Sequence, residues 1–196
     1  MKRAAFVVYL VALHGLVAVM LWRWPSPPSH VERMQAIHAY VDATVPDGAA
    51  LFLGDSHTQR LAVAAVADRA VNFGISWQKS SDLRVPASVN RARVVYLLIG
   101  TNDVVTGRDP LPDLRRIASE IPGPLVWTGI PPIRGQAQPV NAAIEQLCRE
   151  HPSCVYVEPP TDMLPDGVHF SPAGYADWVR RLQAHQPQAA PATPAR

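Results

Sequence analysis

The chain has 196 residues and a formal net charge of +2, from 18 basic and 16 acidic side chains, long enough for one domain with a sizeable core and a small appendage. The charges are spread along the chain with neither a basic block nor aromatic–basic interleaving, which argues against nucleic acid as a partner. Its 20 prolines gather at the two ends and in loop-like stretches such as GIPPI and EPP, so they punctuate a globular middle rather than mark global disorder.

The first element is apolar. MKR is followed by AAFVVYLVALHGLVAVMLW, residues 4–22, a run of 19 residues without a formal charge. As a helix this run is roughly 28 Å long, close to the ~30 Å hydrocarbon core of a bilayer. Lys2 and Arg3 hold the leading end in the cytoplasm and send the remainder across. Residues 1–24 therefore read as a retained membrane anchor. A cleaved signal peptide is the competing reading, but it calls for an apolar region of about 7 to 15 residues and a small-x-small cleavage site. Here the run ends at the bulky Trp22 and Trp24, which suit a membrane interface. His14 reads as a tolerated or packed polar residue within the span.

Residues 25–47 form a proline-rich linker and a helix whose Val31, Met34, Ile37, His38 and Val41 share one face. Apolar strands are expected at 49–53, 70–73, 93–99, 124–130 and 154–158, separated by helical or mixed segments at 58–67, about 78–90, 111–121 and 139–150, with a last helix from 171 to about 184. Strands apolar on both faces and alternating with helices predict a parallel sheet covered on two sides, a three-layer α/β/α sandwich over residues 48–185. Residues 186–196 lack a core-forming pattern and read as a disordered tail.

In such sheets the ligand lies beyond the carboxyl ends of the strands. GDSHT follows the first strand, NFGIS the second and GTND the third, and DGVHFSPAGY precedes the last helix. Ser56 sits at a strand-to-helix turn, where its hydroxyl is presented at the sheet edge and its N–H is among the unpaired donors of a helix start. The competing reading is a simple N-cap. Asp166 and His169 are three apart, a spacing that lets the carboxylate hold one ring nitrogen while the other faces a substrate. The Ser56 N–H, the Gly74 N–H and the Asn102 amide are available as donors to an oxyanion.

These four blocks, in this order and spanning residues 50–183, resemble those of the SGNH hydrolases, the GDSL-type esterase and lipase superfamily. The resemblance implies a parallel, flavodoxin-like five-stranded sheet, with Ser56 as nucleophile, His169 as base, Asp166 as its acid, and Ser56, Gly74 and Asn102 as the oxyanion hole. No metal and no organic cofactor are expected. The chain departs from the family pattern at Trp77, where a glycine is frequent, and at His57, where leucine is. Trp77 reads either as a wall of an acyl or sugar pocket or as an apolar core contact. One helical step beyond Ser56, His57 projects about 100° away and reads as structural. Asp55 and Asp103 read as caps or braces, Pro131 and Pro132 as shaping the cleft, and Arg134 as a substrate contact. The sequence lacks the second glycine of the lipase-type nucleophile elbow, because Thr58 stands there.

Cys148 and Cys154 are six positions apart in CREHPSC. In an oxidising compartment they read as a disulfide across a Pro152 turn, with two buried thiols as the alternative and zinc unsupported by further ligands. The sequence thus predicts a membrane-anchored serine esterase whose catalytic domain faces the periplasm or exterior, or a secreted one if the leader is cleaved. Its substrate is an ester-bearing small molecule or an acylated cell-envelope glycan, with a short acyl group such as acetyl. The alternatives are an O-acyltransferase using the same triad on a glycan and an idle SGNH-type binding module.

Overall fold

The computed structural model describes residues 13–15, 28–133 and 135–185. Apart from 13–15, the anchor expected over residues 1–24 lies outside them, as do the tail 186–196 and Arg134. Among the described residues no helix is long and apolar enough to cross a membrane.

Strands β1 (Ala50–Gly54), β2 (Ala70–Gly74), β3 (Val94–Leu98), β4 (Leu125–Thr128) and β5 (Cys154–Val157) form one parallel sheet in the order β2-β1-β3-β4-β5. The chain leaves β1 toward β2 and then returns to the other side of β1 as β3, so the strand order reverses between β1 and β3. Crevices in doubly wound sheets open at such a reversal, beyond the strands' carboxyl ends.

Alternation of side chains builds the layers. Leu51, Leu53, Val95, Leu97, Leu125 and Trp127 pack on one face against α5 (Leu111–Glu120) and α6 (Ala137–Glu150), which contribute Leu114, Ile117, Ile144 and Leu147. Phe52, Tyr96, Leu98 and Val126 pack on the other face against Trp178 and Leu182 of α7 (Pro172–Gln183) and against Leu61 and Val66. Strands β1 and β3 are buried along their whole length, as their unbroken apolar runs require. Each large side chain so buried contributes on the order of 1.5–3 kcal/mol. Cys148, near the end of α6, and Cys154, at the start of β5, form a disulfide with Cα atoms 5.1 Å apart.

The structure differs from the sequence reading at several elements. The helix expected over 58–67 is two short ones, α2 (Ser56–Arg60) and α3 (Val63–Val66), because Leu61 takes an extended conformation and drops its side chain into the core. The stretch 78–90 holds only 3₁₀ turns at Ser80–Asp82 and Ala87–Arg91. A short helix, α4 (Thr101–Val105), was not expected; Gly100 starts it at φ 115°, a conformation that favours glycine. Helix α1 (His30–Thr44) starts at a capping box of Ser29 and Glu32. Val31, Met34, His38 and Val41 half-bury themselves on the domain, whereas Ile37 is 52% exposed, at the edge of the stripe about 100° from His38.

Candidate active site

Ser56 is placed by the end of β1. Gly54 has φ 151°, and a Cβ there would come within 2.0 Å of the Leu98 carbonyl oxygen, so only glycine lets the chain turn this tightly against β3. Asp55 then caps α2, its Oδ1 accepting the His57 N–H at 3.0 Å. Ser56 is the first helical residue, and its N–H has no hydrogen-bond acceptor among the described residues.

The loop between β5 and α7 brings in the other two groups. Phe170 buries its ring in the core, and a bridge between Met163 and Phe170 closes the loop base. Asp166 Oδ1 accepts the N–H groups of Val168 and His169, each at 2.9 Å, and its Oδ2 accepts His169 Nδ1–H at 2.8 Å. The His169 backbone and ring donors, with the Val168 N–H, hold the Asp166 carboxyl well below the usual carboxylate range. With Nδ1 donating to Asp166, Nε2 is the accepting nitrogen, and it lies 3.0 Å from Ser56 Oγ.

Asn102 enters from α4, beyond β3. Its Nδ2 donates to the Gln78 carbonyl at 2.9 Å, which fixes the amide and leaves a second N–H for the cleft it lines. Asp103 is fully buried and braces this corner: it accepts the Ser80 N–H at 2.8 Å and the Ser80 hydroxyl at 2.9 Å, and it pairs with Arg108. Gly74 differs from its expected role. Its N–H donates to Asn72 Oδ1 at 2.8 Å, while Asn72 Nδ2 donates to the Thr58 carbonyl. The glycine is needed here for packing, since a Cβ would meet the Gln59 nitrogen at 2.3 Å.

Ser56, Asn102 and His169 line a cleft of about 260 Å³ together with Arg60, Trp77 and Val105. Trp77 is no core contact: it is 70% exposed at the rim, with a φ of 66° that is uncommon for so bulky a residue. Arg60 and Val105 were not foreseen, although Arg60 stands one turn beyond Ser56 on α2 and that spacing was available. Pro131 and Pro132 do not shape this cleft; Pro132 lines a separate depression with Tyr156 and Glu158. His57 points away from the cleft and is fully buried.

A parallel sheet whose switch point carries a serine hydrogen-bonded to a carboxylate-held imidazole defines a serine hydrolase. The model of the GDSL-like lipase/acylhydrolase family matches residues 43–176, and the chain belongs to that family. Among solved structures the fold matches a candidate platelet activating factor from Streptococcus pneumonia, with TM-score 0.68 and 19% identity over 89% of this chain and 98% of that one. It also matches TesA, with TM-score 0.54 and 18% identity over 69% and 96% of the two chains. A Clostridium thermocellum family 3 carbohydrate esterase matches with TM-score 0.55 and 17% identity over 67% and 90%. Comparison with curated proteins finds no match.

Proposed function

We propose that this hydrolase is an esterase that removes a short acyl group, such as acetyl, from a cell-envelope glycan, and that it acts outside the cytoplasm, tethered through residues 1–24. The observation that carries the catalytic part is the Ser56 Oγ to His169 Nε2 contact of 3.0 Å, backed by Asp166. As Ser56 Oγ attacks the ester carbonyl, His169 Nε2 takes the hydroxyl proton, and Asp166 holds the imidazolium that forms. The negative charge arising on the carbonyl oxygen is met by the Ser56 N–H and the free N–H of Asn102 Nδ2. His169 returns its proton to the leaving alcohol. It then removes a proton from water, which releases the acid from the acyl-enzyme.

The exposed Trp77 at the cleft rim supports a sugar as the alcohol, because an indole face offers an apolar platform to a pyranose ring. The disulfide and the charge-free run of residues 4–22 support the location. The test incubates the full chain in detergent with nitrophenyl esters of increasing length and with an acetylated sugar, with and without unacetylated acceptor sugar. Hydrolysis that falls with chain length and needs no acceptor upholds the reading. Product that appears only with acceptor makes the enzyme an O-acyltransferase, and absence of both turnover and organophosphonate labelling at Ser56 makes it an idle binding module. Protease accessibility of the domain in intact cells and in opened cells tests the location.

A further inference from the structure

His57 follows the nucleophile directly, yet its ring turns into the protein, where neither it nor Asp55 has any exposed surface. Nδ1 meets Asp55 Oδ1 at 3.0 Å and Nε2 meets the Val168 carbonyl oxygen at 2.9 Å. Both neighbours are acceptors. A proton on Nε2 donates to the Val168 carbonyl oxygen, while Nδ1 lies against Oδ1. Asp55 meets the ring through Oδ1, which also accepts the His57 N–H, while Oδ2 is buried and has no hydrogen-bond partner among the described residues.

Such a pair is an expensive way to fill space. The ring already packs edge-on against Phe170, with centroids 4.7 Å apart, and an apolar side chain there would fill the same space without burying an imidazole. What the imidazole adds is its bond to Val168, and that bond falls on a particular peptide unit. The carbonyl of Val168 and the N–H of His169 belong to the same plane. His57 Nε2 holds its oxygen side and Asp166 Oδ1 holds its nitrogen side. Rotation of this plane would swing the His169 ring relative to Ser56. The two imidazoles also stand 5.3 Å apart, so the clamp is adjacent to the group it orients. The backbone of His57 is itself fixed, because its carbonyl oxygen accepts the Tyr175 hydroxyl at 3.4 Å.

We propose that His57, anchored by Asp55, is a positioning residue that clamps the Val168–His169 peptide and so fixes the base against the nucleophile. This rests on the reading of Ser56 and His169 as nucleophile and base. Displacing a reacting group by about 1 Å costs on the order of 100-fold in rate, and loss of the contact that orients a metal-ligating histidine costs roughly 10- to 100-fold, which sets the scale for an orienting contact here.

The test separates the two hydrogen bonds of the ring. In His57→Gln the amide nitrogen reaches the place of Nε2 and can donate to Val168; in His57→Asn it reaches only the place of Nδ1. The full chain in detergent is assayed for kcat and KM on nitrophenyl acetate and for hydrogen–deuterium exchange across residues 166–170. Expected are a 10- to 100-fold fall in kcat for Asn with KM within about twofold, recovery to within about threefold for Gln, and faster exchange in Asn alone. Equal kcat in the two variants, or a loss that falls on KM, overturns the clamp. If wild-type protein neither turns over ester nor labels at Ser56, the esterase reading fails, and the exchange result alone decides the clamp: a difference between Asn and Gln upholds it and equality overturns it. Should His57→Asn not fold, His57→Leu, which removes both bonds while filling the volume, is judged against Gln by the same criteria.

Discussion

Ser56 Oγ and His169 Nε2 lie 3.0 Å apart although 113 positions separate them in the chain. The contact is closed from two directions, by the turn after β1 and by the loop ahead of α7. Removing either group should therefore differ in kind from removing an oxyanion donor. Ser56→Ala is expected to abolish organophosphonate labelling and acyl-enzyme formation. Asn102→Ala is expected to keep the nucleophile and lose roughly 10²- to 10³-fold in turnover, the usual effect of deleting one such donor. Peptide mapping of the label, beside kcat for each variant, checks both. An Ser56→Ala protein as active as wild type would end the serine mechanism.

Asp166 binds the catalytic loop with one oxygen and the ring with the other. Asp166→Asn keeps the size of the group but replaces one acceptor with a donor, so Nδ1–H of His169 or the loop N–H groups lose their partner. Turnover is expected to fall roughly 10³- to 10⁴-fold with the fold retained. The pH dependence has a definite sign. Because the folded carboxyl titrates below its unfolded value of ~3.9, its contribution to stability is full above that value and fades only as pH falls further, through the depressed folded one. The difference in urea midpoint between wild type and Asp166→Asn should be flat from pH 8 to pH 5 and shrink below pH 4. A difference that shrinks between pH 7 and pH 5 would contradict the assignment.

The disulfide closes the short turn between α6 and β5, across a sequence separation of 6. A loop of this length restrains the unfolded chain by about 2 kcal/mol. Replacing Cys148 and Cys154 together by alanine should lower the unfolding free energy by about that amount and leave kcat unchanged, since the turn lies at the opposite end of β5 from Asp166. Urea denaturation of oxidised wild type and the double variant measures the first, and ester turnover the second.

Most of the sheet was legible because its strands are buried on both faces and so run apolar without interruption, as in Val94–Leu98. The site blocks were legible because a parallel sheet delivers every strand's end to one edge. Segments whose conformation depends on distant partners were not. The stretch 78–90 is held by Asp103, by Arg116 donating to the Leu83 carbonyl and by Asp42 accepting the Ala87 and Ser88 N–H groups, none of them local in sequence. For the same reason His57 could not be seen to reach Val168, 111 positions away, whereas the Gly74 N–H goes to Asn72 only two residues back, a side-chain-to-backbone bond of a kind the residue types allow but do not require. Trp77 is exposed and holds a positive φ that the neighbouring residue types do not announce.

His38 gives a prediction about how α1 is held. Its ring stands edge-on to Phe73, with centroids 5.2 Å apart, over a cavity of about 210 Å³ whose floor includes Leu53 and Ile75. Burial disfavours the imidazolium, so the folded protein keeps His38 neutral to a lower pH than the unfolded chain does. In the unfolded chain the ring takes up its proton near pH ~6.5. Below that value the unfolded state binds more protons than the folded one, so the stability tied to His38 is complete above pH ~6.5 and is lost as pH falls. His38→Phe keeps an aromatic ring on Phe73 and removes the proton site. Thermal midpoints of wild type and variant should run in parallel from pH 8.5 to pH 7, then separate toward pH 5 with the wild type falling faster. A constant offset across the whole range would place the acid sensitivity of the fold elsewhere than beneath α1.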